Sequence, residues 1–161
     1  MRFTFVDRIV AAEPRRRIEI STHVSGLDDV FADHFPGYPV LPGALVIEAF
    51  VQAAQLLIGL SHEFTRVGRL RGLSRVAFRH PVRPGDVLVI RCERRAGEAA
   101  AWVIDAMALV DGRRVAAAAL EFSLEPAAPG TDDGGHAERL RALARELPRA
   151  PVAVASGERG D

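Results

Sequence analysis

The longest apolar run in the chain is residues 44–60, seventeen positions with one charge among them. Its polar side chains are Glu48, Gln52 and Gln55, spaced i, i+4 and i+7, which on a helix fall in one narrow stripe with apolar residues on every other side. Seventeen residues are short for a bilayer crossing of roughly 20, and a carboxylate near the middle would cost about 2.5–3.5 kcal/mol in lipid. The pattern predicts no membrane span but a helix buried in protein, its three polar groups aimed at one place. A buried carboxylate must be paired or protonated, so Glu48 asks for a reason.

Both flanks of this helix read as strands. Residues 5–12 and 17–24 form the first two, and in the second Ile18, Ile20, Thr22 and Val24 alternate with Arg17, Glu19, Ser21 and His23. Between them and the helix, residues 26–42 carry Pro36-Gly37, Pro39 and Pro42 and predict loop with no regular element, Pro42 fitting the first helical turn. Strands are expected again at 70–80, 87–95, 99–110 and 115–124. Asp111-Gly112 joins the last two as a tight hairpin, and Arg83-Pro84-Gly85-Asp86 makes another turn. Two strands, a loop, one buried helix and four strands describe an α+β architecture, an antiparallel sheet of about six strands around the helix. Residues 1–125 are read as the folded domain. Residues 126–161 are read as a Pro/Gly-rich tail, with helical spacing over 136–147 through Leu140, Leu143 and Leu147.

Composition removes several classes of function. With 161 residues the chain predicts a single domain. Basic and acidic residues balance at 21 each, so no net charge calls for nucleic acid or an anionic membrane. All basic residues are arginine, and the absence of lysine and asparagine excludes Schiff-base lysine chemistry, a P-loop lysine and N-glycosylation. One cysteine, Cys92, permits neither an internal disulfide nor a cysteine-based zinc site, and its apolar alternating surroundings predict a small buried side chain. Residues 1–7 lack the apolar stretch of a signal peptide, so a cytoplasmic location is expected.

The chemistry concentrates at the junction of loop and helix, His34-Phe35-Pro36-Gly37-Tyr38-Pro39-Val40-Leu41-Pro42-Gly43, followed by Glu48 inside the helix. A histidine sits in a loop stiffened by prolines. Gly43 lies at a helix start, where free N–H groups and the positive end of the dipole can hold a developing oxyanion. Glu48, in apolar surroundings, should have its pKa raised. Base, oxyanion donor and acid are what is needed to take a proton beside a carbonyl and expel a leaving group. His23, His62, His80 and His136 are expected to be solvated or capping. Arg66, Arg69, Arg71, Arg75, Arg79 and Arg83 form a basic cluster, either a solvated strand face or a dock for an acidic carrier protein.

This stretch, with Glu48-Ala49, Gln52-Ala53 and the later Phe78-Arg79-x-Pro81-Val82-x-Pro84-Gly85-Asp86, resembles the FabZ-type 3-hydroxyacyl-[acyl-carrier-protein] dehydratases of the FabA/FabZ-like family over residues 4–125. The related FabA-type enzymes place aspartate at the acid position, so Glu48 favours the FabZ type. The resemblance implies a hotdog fold and dehydration of (3R)-3-hydroxyacyl thioesters to trans-2-enoyl thioesters in fatty acid or related lipid or polyketide biosynthesis. It implies that His34 and Glu48 are catalytic, that the Gly43 amide polarises the thioester carbonyl, and that Gln52 helps hold the carboxylate, with Phe35 and Val40 also in the substrate site. No metal or organic cofactor is implied. The implied partners are an acyl carrier protein with a phosphopantetheine-linked acyl chain, and a second copy of the chain. That homodimer, sometimes a trimer of dimers, brings histidine and acid from opposite subunits. Asp33 departs from the family's usual glycine, and would either raise the imidazole pKa or face solvent. A hotdog thioesterase and a non-catalytic acyl-binding hotdog partner of a synthase are the competing readings.

Overall fold

A computed structural model describes residues 4–25 and 28–149. Six strands, β1 (Arg8–Glu13), β2 (Arg17–His23), β3 (Arg66–Phe78), β4 (Val87–Glu98), β5 (Ala101–Val110) and β6 (Arg113–Pro126), form one sheet in the order β1-β2-β4-β5-β6-β3. Every neighbouring pair is antiparallel. Helix α2 (Gly43–Ser61) lies in the concavity of this sheet, with α1 (Asp28–Asp33) before it and α3 (Asp132–Glu146) at the end of the described chain. This is the hotdog architecture.

Period-two alternation decides which strand faces meet the helix. Ile18, Ile20 and Thr22 of β2, Leu88, Ile90 and Cys92 of β4, Trp102 and Ile104 of β5, and Leu120, Phe122 and Leu124 of β6 are all buried. All but Thr22 pack with Phe50, Leu56, Leu57 and Ile58 of α2 in one cluster. By length and hydropathy α2 could cross a membrane. In the fold it is the core helix, and the sheet, not lipid, covers its apolar surface. At the Asp111-Gly112 hairpin both residues have positive φ, 49° and 75°, the geometry a two-residue turn between twisted strands demands.

Two expectations are corrected. Residues 26–42 do contain a regular element, because Asp28–Asp33 closes a short helix that buries Phe31. The prolines that argue against helix all lie after it. The strands around the helix also run longer than the sequence pattern suggests, β3 beginning at Arg66 and β4 reaching Glu98 across a register shift at Arg94/Ala96.

Helix α3 is tied to this framework. Thr131 caps it, its Oγ1 accepting from the Gly134 N–H at 3.1 Å. Leu140 and Ala144, with Leu147 just beyond, join the core cluster, while Arg69 of β3 pairs with Asp133 at 2.8 Å. Past the helix, the Pro148 carbonyl accepts from the Ile9 N–H at 3.0 Å, so the chain here runs along the outer edge of β1. Residues 150–161 of the tail lie outside the described residues.

Candidate active site

The loop before α2 folds tightly on itself. Phe35 and Tyr38 exchange backbone hydrogen bonds at 2.9 and 3.2 Å, and the Val40 N–H donates to the His34 carbonyl at 2.9 Å. Gly37 sits in this turn at φ 75°, and the His34–Phe35 peptide is cis. His34 itself is half-buried. Its Nδ1 lies 2.8 Å from the Val40 carbonyl oxygen, which can only accept, so in the neutral ring the proton sits on Nδ1 and the lone pair on Nε2. The Phe35 ring stacks on the imidazole at 4.1 Å between centroids. Asp33 is exposed and makes no ion pair with His34 among the described residues.

Helix α2 begins after Pro42 without a side-chain cap. Among the described residues the Gly43 N–H has no acceptor, which leaves it free for a ligand. His34, Val40 and Gly43 line one pocket of about 410 Å³, together with Val46, Phe78 and His80. The Phe78 ring lies so close to Gly43 that a β-carbon there would stand 2.7 Å from its Cζ. The loop histidine and the start of α2 therefore share a cavity.

Glu48 does not join them. It is exposed and is not part of the pocket wall, so the expected apolar burial of this carboxylate is not provided by its own chain. Helix geometry gives the reason. Five residues separate Gly43 from Glu48, and at about 100° per residue they point roughly 140° apart around the axis. The polar stripe also divides. Gln52 donates to Glu48 at 2.9 Å and accepts from the Phe5 N–H at 2.8 Å, holding the carboxylate side of the helix. Gln55 is buried and turned to β3, where it donates to the Gly68 carbonyl and accepts from the Gly68 N–H at 3.2 Å. Gln55 thus satisfies backbone of the last strand in the sheet order and stands apart from the site.

Sequence reasoning set His80 aside, yet it lines the same pocket as His34. The clue was available: Pro81 and Val82 directly follow it in the second block that carries the family resemblance. His62 is also more than a solvated cap. Its ring tilts against Trp102 at 5.3 Å, its Nε2 is buried with no hydrogen-bond partner among the described residues, and burial, with Arg66, Arg15 and Arg94 nearby, lowers its pKa. The basic cluster is partly neutralised, Arg69 and Arg71 by Glu125 and Arg75 by Asp105. Cys92 is buried as expected, its thiol pushed up to about 12 by burial.

The wrapped helix and the pocket at its N-terminus define a hotdog protein with a cavity of about 410 Å³ lined by a loop histidine. Residues 1–119 match the family model described as the FabA-like domain, and the chain belongs to that family. It is 36% identical over 126 residues to the 3-hydroxyacyl-[acyl-carrier-protein] dehydratase FabZ of Nitratiruptor sp., covering 74% of this chain and 85% of the relative. With the FabZ of Anaeromyxobacter sp. it shares 40% over 120 residues, 72% of this chain and 77% of the relative. Among solved structures it is similar to the dehydratase heterocomplex ApeI:P from Xenorhabdus doucetiae, with TM-score 0.63, 17% identity, and coverage of 76% of this chain and 83% of that one. The thioesterase HI1161 from Haemophilus influenzae superposes at TM-score 0.58 with 15% identity, over 73% and 77% of the two chains. These structural likenesses carry the fold alone.

Proposed function

We propose that the chain removes water from (3R)-3-hydroxyacyl thioesters carried on acyl carrier protein, giving trans-2-enoyl thioesters in fatty acid or related lipid biosynthesis. The observation that carries this is the pairing, in one pocket, of His34 with its Nε2 lone pair free and the unpartnered Gly43 N–H at the start of α2. FabZ dehydratases 31–40% identical to this chain support the same activity. A thioesterase reading finds no comparable support, since the thioesterase likeness is one of fold.

In the reaction as we infer it, His34 Nε2 takes the C2 proton while the Gly43 N–H stabilises charge on the thioester oxygen. The C2–H electrons form the C2=C3 bond, and the C3–O bond breaks as a protonated Glu48 gives its proton to the departing hydroxyl, which leaves as water. Solvent returns His34 and Glu48 to their starting states. The thioester itself acidifies C2, so the step balances without a cofactor. Each general acid or base supplies about 10²–10⁴ in rate, and an oxyanion donor about 10²–10³.

The acid comes from a second copy. We infer a homodimer in which Glu48 of the partner subunit, held by its own Gln52, completes the site of His34, with association into a trimer of dimers as a further step. Three features support it. Glu48 is exposed and turned away from its own pocket, and β3 is an edge strand. Leu70, Leu73, Val76 and Phe78 on that strand, and Phe35 and Tyr38 in the loop that carries His34, are exposed apolar side chains between 38% and 55% accessible. The carrier protein is the other partner. Arg79 lies on the pocket wall with no carboxylate within 4 Å among the described residues, and suits an acidic partner there. We assign the chemistry to residues 1–125, none to 126–161, and a cytoplasmic location to the whole.

The test is hydration of crotonyl-CoA, followed as loss of the conjugated double bond, with His34→Ala and Glu48→Gln alongside. Hydration that disappears in both variants supports the reading. Release of free thiol makes the protein a thioesterase. Tight acyl-thioester binding with neither reaction makes it a non-catalytic acyl-binding protein.

A further inference from the structure

We propose that Arg83 and Tyr38 form a clasp that positions His34, fastening the loop that carries the histidine to the turn at residues 81–86. The inference rests on the reading of His34 as the base and concerns what holds that base in place.

Packing within the subunit does not hold this loop. Phe35, Pro36, Gly37, Tyr38 and Pro39 are all exposed. The loop's internal bonds, between Phe35 and Tyr38 and between His34 and Val40, fix its shape but not its place on the molecule. Two ties run from it to the neighbouring turn. One is backbone, the Leu41 N–H donating to the Val82 carbonyl at 2.7 Å. The other is the clasp: Arg83 Nη2 donates to the Tyr38 hydroxyl at 2.6 Å, and the guanidinium carbon lies 4.7 Å from the centroid of the same ring. One tyrosine thus offers the arginine both its oxygen and its π-face.

The arginine stands on an anchored base. Its own N–H donates to Asp86 Oδ2 at 2.8 Å, and the Asp86 N–H returns to the Arg83 carbonyl at 3.1 Å. Val24, just past β2, accepts from the Gly85 N–H and donates to the Asp86 carbonyl, both at 2.9 Å. The turn is therefore fixed to the sheet, and the loop is fixed to the turn. Arg69, Arg71 and Arg75 in the same basic cluster are occupied by carboxylates, whereas the Arg83 guanidinium has none within 4 Å among the described residues. Tyr38 is its partner.

An exposed contact of this kind adds little to global stability. Its effect falls on the local opening of a loop with few buried contacts, and the reacting geometry is sensitive to displacements far smaller than unfolding. Tyr38 closes the turn that begins one residue after His34, so release of Tyr38 loosens the bond between the imidazole and Val40. Arg83 and Tyr38 are positioning residues, acting through His34.

The test uses the full-length protein and compares crotonyl-CoA with the same acyl group on a carrier protein. Arg83→Ala and Tyr38→Ala should each lower kcat by about 5–20-fold with KM within about twofold and Tm nearly unchanged. The double variant should be no worse than either single one, because both break one tie. Arg83→Lys should recover part of the loss, and Tyr38→Phe, which keeps the ring but not the hydroxyl, should fall between wild type and Tyr38→Ala. The loss should be equal on both substrates. Unchanged kcat in Arg83→Ala, multiplicative losses in the double variant, or a KM effect confined to the carrier-linked substrate would each overturn the clasp, the last by making Arg83 a docking residue. A fully active His34→Ala would instead overturn the proposed function, so the two failures are distinguishable.

Discussion

Replacing Gln55 by leucine keeps most of the side-chain volume and removes both hydrogen bonds to Gly68 at once. Gln55 is only 9% exposed, and Gly68 is buried against Ile58 and Phe122 so tightly that a β-carbon would stand 2.5 Å from Ile58 Cδ1. The Gly68 N–H and carbonyl would lose their partner in a place with little room for water. Each buried orphan costs about 1–3 kcal/mol, and the added apolar surface of leucine returns at most about 1 kcal/mol. The net loss is about 1–5 kcal/mol, a large share of the roughly 5–15 kcal/mol that holds a domain folded. For a chain of this size that corresponds to a fall in Tm of roughly 2–20 °C.

Thermal melts of Gln55→Leu against wild type, with kcat measured well below both transitions, decide the point. The reasoning requires the melt to shift and the activity per folded molecule to stay within about twofold, because Gln55 braces the β3 edge and does not face the pocket. A shift under about 2 °C would show that the two bonds carry no net stability. A kcat loss without a shift in Tm would return Gln55 to the active site with Glu48 and Gln52.

Other residues give sharper functional readouts. Gly43→Ala places a methyl group 2.7 Å from the exposed Phe78 ring, which can swing aside, so Tm should move little while hydration of crotonyl-CoA falls at least about tenfold; wild-type turnover would show that nothing approaches Gly43 closely. Mixing inactive His34→Ala and Glu48→Gln proteins, with subunit exchange, should restore about one quarter of wild-type activity, since half the dimers are mixed and each has one intact site of two; no recovery would place both residues in the same subunit's site. His62 has its pKa lowered from 6.5, chiefly by burial, so the unfolded chain binds the proton more readily than the folded one. Its contribution is present above about pH 6.5 and is lost as pH falls below that value, and His62→Gln should flatten the acid limb of the stability curve in denaturant titrations. Cys92, buried and with its thiol pushed up to about 12, should resist a thiol reagent in the native state and react on unfolding; rapid native labelling would contradict the burial.

How far the sequence could be read depends on which force sets each feature. Strand alternation in β2 and the Asp111-Gly112 turn follow from local geometry, and both lie where the residue pattern places them. The pocket residues His34, Val40 and Gly43 are close in sequence, so a short loop had to bring them near one another. The short helix at Asp28–Asp33 was missed because the prolines that mark the loop come later, at 36, 39 and 42. The polar stripe misled for a different reason. Spacing on a helix gives direction but not what packs against it, and β3 covers Gln55 while leaving Glu48 bare. The ion pairs of the arginine cluster were out of reach likewise, because Glu125, Asp105 and Asp133 approach it from 30 to 64 residues away in the chain.

The placement of Glu48 ties the fold to the function. One helix serves three purposes along its length: its N-terminus offers the Gly43 amide to the pocket, its first exposed face carries Glu48 with Gln52 beside it, and its buried half, through Gln55 and the core, holds the sheet. The roughly 140° between Gly43 and Glu48 means that no bending of a rigid helix brings both to one substrate. A chain that needs base, oxyanion donor and acid together must take the acid from elsewhere, and in the homodimer proposed above a second copy would supply it by symmetry, each subunit lending what the other lacks. The same geometry keeps the carboxylate apart from the imidazole within one chain, where the two would otherwise pair and neutralise each other's function. The edge strand with its exposed apolar row runs beside the pocket, Phe78 belonging to both. Association along that edge would bury the apolar row and bring the partner's carboxylate to the pocket in a single event, so that stability of the dimer and assembly of the site become one requirement on the sequence.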